Sequence, residues 1–298
     1  SGQAVDTSNT ARFNSFFVNQ LDSLTFWVKA DTGITLINGL VSEWKDLSDS
    51  SKHLIQANPA LRPTLIDSAL NNKAFVNFDA VNDQFLTGIS LNRENFTIAS
   101  VYNVKEKSAR GIRMINGSTG WIYGPFSGIY RVFNGGFTSG KSTIINQYVT
   151  HTAWSEKDTV NNFVNGIYYG QRVNSFRPQM LTIGQNAING NIGEIIIVNG
   201  GILQNERQKI DKYLMDKYAP PVNLGADRRV CSFPDSLELN IDYALNYEWS
   251  TGDTLTKLVV DSAGKYYVTI TDMFERQSVD SVFFILDTNN YQVDFGFE

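Results

Sequence analysis

From Leu24 onward, apolar and polar positions alternate in short runs: "LTFWVKAD", "NKAFVNFDA", "NFTIASVYNV", "GIYRVFNGG", "NNFVNGIYYG" and "MLTIGQ" among them. Gly, Asn, Asp and Ser separate the runs, and these residues tolerate turn geometry, so the pattern predicts short strands closed by turns. In "VNGIYYG", Asn165-Gly166 is a strong two-residue hairpin signal, with Phe163-Val164 and Ile167-Tyr168 as its arms. Many strands at short spacing with no interleaved helices predict a two-sheet antiparallel sandwich.

Two stretches depart from the alternation. Phe13, Phe16, Phe17 and Leu21 recur at helical spacing and predict a short helix inside a lead-in of residues 1–21, whose first ten residues read as disordered. The other is "NIGEIIIVNGGILQNERQKIDKYLMDKYAP". A two-residue period places Ile192, Glu194, Ile196 and Val198 on one strand face, with Ile195 and Ile197 on the other. The helix that follows gathers Ile210, Tyr213, Leu214 and Tyr218 on one side and leaves Lys209, Asp211, Lys212 and Asp216 largely outside it. Glu206 supplies half of a capping box, but Leu203 stands where Ser or Thr would complete it. Pro220 and Pro221 stop the helix. The expected organisation is therefore a sandwich over residues 22–219, a second of six or seven strands over 220–287 with the size of an immunoglobulin-like domain, and a tail, 288–298.

The chain's 298 residues suffice for two domains. Aromatics at 12% and charged residues at 18% suit an extracellular β protein. A net charge of −5 argues against a nucleic-acid partner, while leaving room for a local basic patch. No apolar run reaches a membrane span, so no membrane insertion is expected. The single cysteine, Cys231, forms no intramolecular disulfide, and His53, His151 and Cys231 lack zinc-ligand spacing.

"LTFWVKAD", "GLVSEWKDLSDSS", "RPTL", "FVNFDAVNDQFL", "FVNG", "LTIGQ" and "NGNIGEIIIVNGGI", followed by "NERQKIDKYLMDKY", stand in an order that resembles the laminin-G/concanavalin A-like jelly-roll domains of bacterial surface proteins. The likeness runs from Leu24 to Tyr218 and implies an antiparallel jelly roll with a C-terminal helix. "VNLGADRRVC", "WSTG" and "GKYYVTITD" are similar to immunoglobulin-like or PKD-like repeats of secreted multidomain proteins. Those repeats often carry a second Cys where Arg276 stands, so the resemblance leaves Cys231 free and, it is expected, buried. Together the two resemblances imply an all-β, adhesin-like protein of the type IX secretion kind, extracellular or on the cell surface. The implied role is non-catalytic recognition of a glycan or a surface protein, alongside other domains of a larger protein. An architectural spacer is the second reading and a glycan-active enzyme the third.

Catalytic patterns are weak. Retaining glycanases need paired carboxylates, which on a strand means acids at i and i+2 or i+4. Glu194 is instead flanked by Ile192 and Ile196, the acids of "SEWKDL" are three apart, and Glu194 reads as a structural acceptor. No Gly-x-Ser-x-Gly elbow is present, and His151 lies in the strand-like "YVTHTAWS" as a packed histidine. "GGFTSGKS" ends like a phosphate loop but lacks the glycine spacing and a following helix. Calcium is the cofactor the resemblance allows, with Asp79, Asn82 and Asp83 of "DAVND" as ligands and Asp46 and Asp49 as further oxygen donors; the same residues also serve turns. For a glycan, Trp121, Tyr123, Tyr130 and Arg131 of "GWIYGPFSGIYRVFNGG" form the candidate surface, with packing as the alternative for the aromatics. Trp27, Trp44, Trp154 and Trp249 fall at core positions of the resembled families.

Overall fold

A computed structural model describes residues 18–92, 94–106, 113–184 and 188–287. Phe13, Phe16 and Phe17, and the tail 288–298, lie outside the described residues; Leu21 follows a single helical turn at Val18–Gln20 and is buried.

Among the described residues the protein is all-β apart from the helix Gln204–Tyr218 and two short 3-10 turns. Among the described residues, an eleven-stranded sheet faces a six-stranded one. In the large sheet the strands run Ile167–Val173, Thr159–Val164, Val149–Glu156, Phe96–Val104, Asn189–Val198, Lys73–Asp79, Thr64–Leu70, Leu40–Trp44 and Ile34–Ile37, with Leu24–Lys29 also pairing Asn189–Val198 and Leu54–Ile55 pairing Leu40–Trp44. The small sheet orders Lys141–Ser142, Ile129–Phe133, Ile122–Phe126, Ile115–Asn116, Thr182–Gly184 and Gln84–Leu86. Hairpins join sequence neighbours within each sheet, while the pairings of Asn189–Val198 with Phe96–Val104 and with Lys73–Asp79 are long-range. The hairpin at Asn165-Gly166 forms with both residues at positive φ (53° and 73°), and Phe163 pairs Tyr168 as the Asn-Gly signal predicts.

Inward positions of both sheets build one apolar layer, including Phe26, Trp44, Phe78, Phe96, Tyr102 and Val132. The outer face of the large sheet carries a second layer, formed by Phe75, Val101, Ile196 and Val198 with Ile210, Leu214 and Tyr218 of the helix. That layer continues without a break into Leu237, Trp249, Val268 and Phe284 of a smaller sandwich. The smaller sandwich consists of a four-stranded sheet (Arg228–Val230, Gln277–Leu286, Gly264–Asp272, Ala244–Trp249) over a two-stranded one (Asp235–Glu238, Lys257–Val260). Arg228–Val230 pairs in parallel with Gln277–Leu286.

Three local expectations are corrected. A β-bulge at Gly193 breaks the two-residue period, so Ile192 joins Ile195 and Ile197 on the inner face, and Glu194, Ile196 and Val198 turn to the helix. Gly is required there, because a Cβ would lie 2.6 Å from the Phe75 ring. On the helix, Asp211 is buried rather than exposed, since Arg207, Ile210, Asp211, Leu214 and Tyr218 form the stripe that meets the sheet. Its carboxylate pairs with the buried Arg207 and accepts from Thr152 Oγ1 at 2.6 Å, while burial raises its pKa to about 6. Cys231 is exposed, because "CSFP" forms a surface turn beyond the Arg228–Val230 strand.

Candidate functional site

The two-residue period decides the fate of the aromatic candidates. Tyr123 and Tyr130 alternate inward from the strands Ile122–Phe126 and Ile129–Phe133, and Trp121 precedes the first of these; all three are wholly buried. Trp121 stacks on Tyr123 (centroids 6.3 Å apart) and meets Phe96 edge-on. Their ring faces are therefore part of the core and not a surface for sugar, which corrects the expectation for Trp121, Tyr123 and Tyr130. Arg131 alone of the four turns outward. Its guanidinium lies 4.0 Å from the Phe137 ring centroid, and its Nε donates to the Phe126 carbonyl. Partial burial lowers its pKa from the usual arginine value.

Between the sheets lies a closed polar network. Asn162 Nδ2 donates to the carbonyls of Tyr130 and Ser139, which leaves its Oδ1 to accept from His151 Nε2 at 2.7 Å. His151 Nδ1 then accepts from Tyr102 OH at 2.9 Å, and Tyr123 OH donates to the His151 carbonyl. Burial lowers the His151 pKa to about 4, so the ring is neutral near pH 7. Neither ring nitrogen reaches a serine hydroxyl, and the residue has zero exposure, so this histidine serves packing.

Glu194 is the other buried polar centre. Its Oε1 accepts from Trp27 Nε1 (2.6 Å) and Tyr213 OH (3.0 Å), and its Oε2 from Lys217 Nζ (2.7 Å) and Tyr218 OH (3.3 Å). Lys217 also pairs with Asp31 at 3.0 Å. The carboxylate thus joins the first strand, the central strand and the last turns of the helix. It has no exposure through which substrate could arrive.

In the "DAVND" loop, Asp83 Oδ2 accepts from the Asp79 backbone N–H and Asp79 Oδ1 from that of Val81. Asp83 is nearly buried, and burial, with Asp79 beside it, raises its pKa to about 6. Asp46 accepts from the backbone N–H groups of Trp27, Ser48 and Lys52. Those donors outweigh its desolvation and lower its pKa. Both loops use their carboxylates to hold turns. Among the described residues no three His, Cys, Asp or Glu side chains gather at a metal-ligating distance.

The open site lies on the outer face of the six-stranded sheet. Phe85, Ile115, Tyr123, Val132 and Ile183 point into the core, so their neighbours Leu86, Asn116, Ile122, Phe133 and Thr182 face outward. Strand pairing sets these five side by side: Leu86 opposite Thr182, Thr182 opposite Asn116, Asn116 opposite Ile122, and Ile122 opposite Phe133. At about 4.8 Å per strand the row spans roughly 19 Å. Over its first four members opens a cleft of about 490 Å³, rimmed by Arg113, Ser118 and Met180. Asn116 is 7% exposed, and its Oδ1 has no hydrogen-bond partner. Leu86 and Met180 are exposed apolar side chains beside it. None of the residues that line the cleft is acidic. Sequence reading missed this row because its members are scattered over five short strands; the parity of "MINGS" and "LTIGQ" was the available signal.

No family model matches the chain, and no curated protein matches it either. Solved structures do resemble it. The binding domain of Paraclostridial Mosquitocidal Protein 1 superposes with a TM-score of 0.50 at 13% identity, covering 84% of this chain and 64% of that one. Domain 4 of AbnA, a GH43 extracellular arabinanase from Geobacillus stearothermophilus solved with arabinotriose, gives 0.45 at 12% identity over 64% of this chain and 98% of its own. A Trypanosoma rangeli sialidase in complex with sialic acid gives 0.47 at 12% identity, over 65% of this chain and 33% of the sialidase. This chain thus spans a third of the sialidase and just under two thirds of the mosquitocidal binding domain. At such identity the likeness to the mosquitocidal binding domain is one of fold alone, and it agrees with the all-β class of the strands described above.

Proposed function

We propose that this chain is a non-catalytic, glycan-binding module of an extracellular or cell-surface protein, and that the glycan lies along the outward row Leu86–Thr182–Asn116–Ile122–Phe133. In this reading residues 22–219 form a laminin-G-like jelly roll and 220–287 an immunoglobulin-like companion that covers its other side. The observation that carries the proposal is the cleft over Asn116. The polar side chains of Asn116, Ser118, Thr182 and Arg113 line it beside the exposed Leu86 and Met180, the mixture of polar and apolar contacts a sugar ring requires. Hydrolysis is the weaker reading, because glycoside cleavage uses two carboxylates and this cleft is lined by none.

A glycan array probed with the full chain tests the proposal. Binding lost on Asn116→Ala and on Thr182→Val, with the melting temperature retained, is the expected result. Binding insensitive to both substitutions, or no binding to any glycan, overturns it.

A further inference from the structure

The charge distribution around this face narrows the ligand class. Residues 113–184 hold six Lys or Arg and only two acids, Glu156 and Asp158, a net of +4; since the whole chain carries −5, the rest carries −9. The strands of the six-stranded sheet contain no Asp or Glu, although charged residues make up 18% of the chain. A face freed of carboxylates inside an acidic protein concentrates positive potential where an anion would approach.

The cations are placed for use. Arg113 lines the cleft. Arg131 stands opposite Gly124 on the adjoining strand, over the ring of Phe137. Arg172 donates to the Gly135 carbonyl, and its guanidinium occupies the space of a Cβ at Gly136, 2.4 Å from Cζ. Two guanidinium groups therefore bracket the turn at residues 135–137, and Phe133, the end of the outward row, bridges to Phe137 in that turn. Among the described residues no carboxylate forms an ion pair with Arg113, Arg131 or Arg172. Lys141, by contrast, is paired with Glu275. Planar guanidinium groups held by ring and backbone contacts suit bidentate capture of carboxylate or sulfate.

We infer that the ligand of this face is an anionic polysaccharide, its sugar rings over the Asn116 cleft and its carboxylate or sulfate groups on Arg131 and Arg172. The inference rests on the glycan-binding reading above. The test is calorimetric titration of the full chain with polygalacturonate, with heparin and with a neutral glucan. Affinity for at least one of the acidic polymers is expected to exceed that for the glucan by about tenfold and to fall steeply between about 50 and about 500 mM salt. Arg131→Gln and Arg172→Gln are each expected to weaken it about tenfold. The exposed Arg172 is the variant least tied to folding. The two acidic polymers separate carboxylate from sulfate recognition. Glucan binding of equal strength that ignores salt overturns the anionic inference and leaves glycan binding standing. Acidic-polymer binding indifferent to both arginine substitutions overturns the inference as well. Failure to bind any polysaccharide removes both readings.

Discussion

Glu194, in the middle of the central strand, places its Oε2 2.7 Å from Nζ of Lys217 in the last turn of the helix. The bulge at Gly193 turns this carboxylate to the helix side of the sheet, and Trp27, Tyr213 and Tyr218 complete its set of donors. Removing one partner of a buried ion pair leaves the other uncompensated, so Glu194→Ala should cost roughly 3–5 kcal/mol in chemical denaturation. Glycan affinity per folded molecule should not change. A stable Glu194→Ala protein would contradict the role assigned to this residue.

Trp121 belongs to the core, so Trp121→Ala should lower stability by about 3–5 kcal/mol rather than remove binding selectively. Its indole N–H has no partner. Trp121→Phe gives up no hydrogen bond and should cost clearly less, about 1–2 kcal/mol. Urea midpoints of the two variants check the ranking.

His151 supplies an acid-sensitive element. Its pKa falls from 6.5 unfolded to about 4 folded because the ring is buried. The folded state therefore binds the proton more weakly, and stability is full above about pH 6.5 and falls as pH drops towards 4, by up to about 3 kcal/mol. Asp83 and Asp211 act in the opposite direction. Their folded pKa values are raised to about 6, so their contribution declines as pH rises from about 4 through 6. Denaturation of His151→Gln at pH 4.5 and at pH 7 separates the two trends. The variant should lose less stability on acidification than the wild type does.

Arg276 bridges the two sandwiches, donating to Asp216 (2.7 Å), to the Ala219 carbonyl (2.6 Å) and to Asp272 (2.8 Å). The apolar layer beneath it is continuous from the helix to Trp249 and Phe284. Calorimetry should accordingly record one unfolding transition, and Arg276→Ala should lower its stability by about 1–3 kcal/mol. Two well-separated transitions in the wild-type protein would contradict this coupling.

Much of the fold was readable because strand alternation and turn chemistry are local. Asn165-Gly166 forms its hairpin, and Glu194, isolated among apolar neighbours, is an acceptor. The errors arose where a local period meets a long-range partner. One bulge at Gly193 moved Ile192 to the other face, and Thr152 with Arg207 drew Asp211 inside. The candidate site was legible only in part. Inward and outward parity could have assigned Tyr123 to the core and Arg131 to the surface. The neighbourhood of Asn116, Thr182 and Leu86 depends on pairings between strands far apart in sequence, which no periodicity records.

The central claim, that ligand lies on the outer face of the six-stranded sheet, is tested most directly by backbone amide NMR during titration with an oligosaccharide of whichever polysaccharide binds. The account predicts shifts concentrated in Gln84–Leu86, Ile115–Asn116, Ile122–Phe126, Ile129–Phe133 and Thr182–Gly184. Shifts confined to the loop at Asp79–Asp83 or to the strands of the smaller sandwich would contradict it.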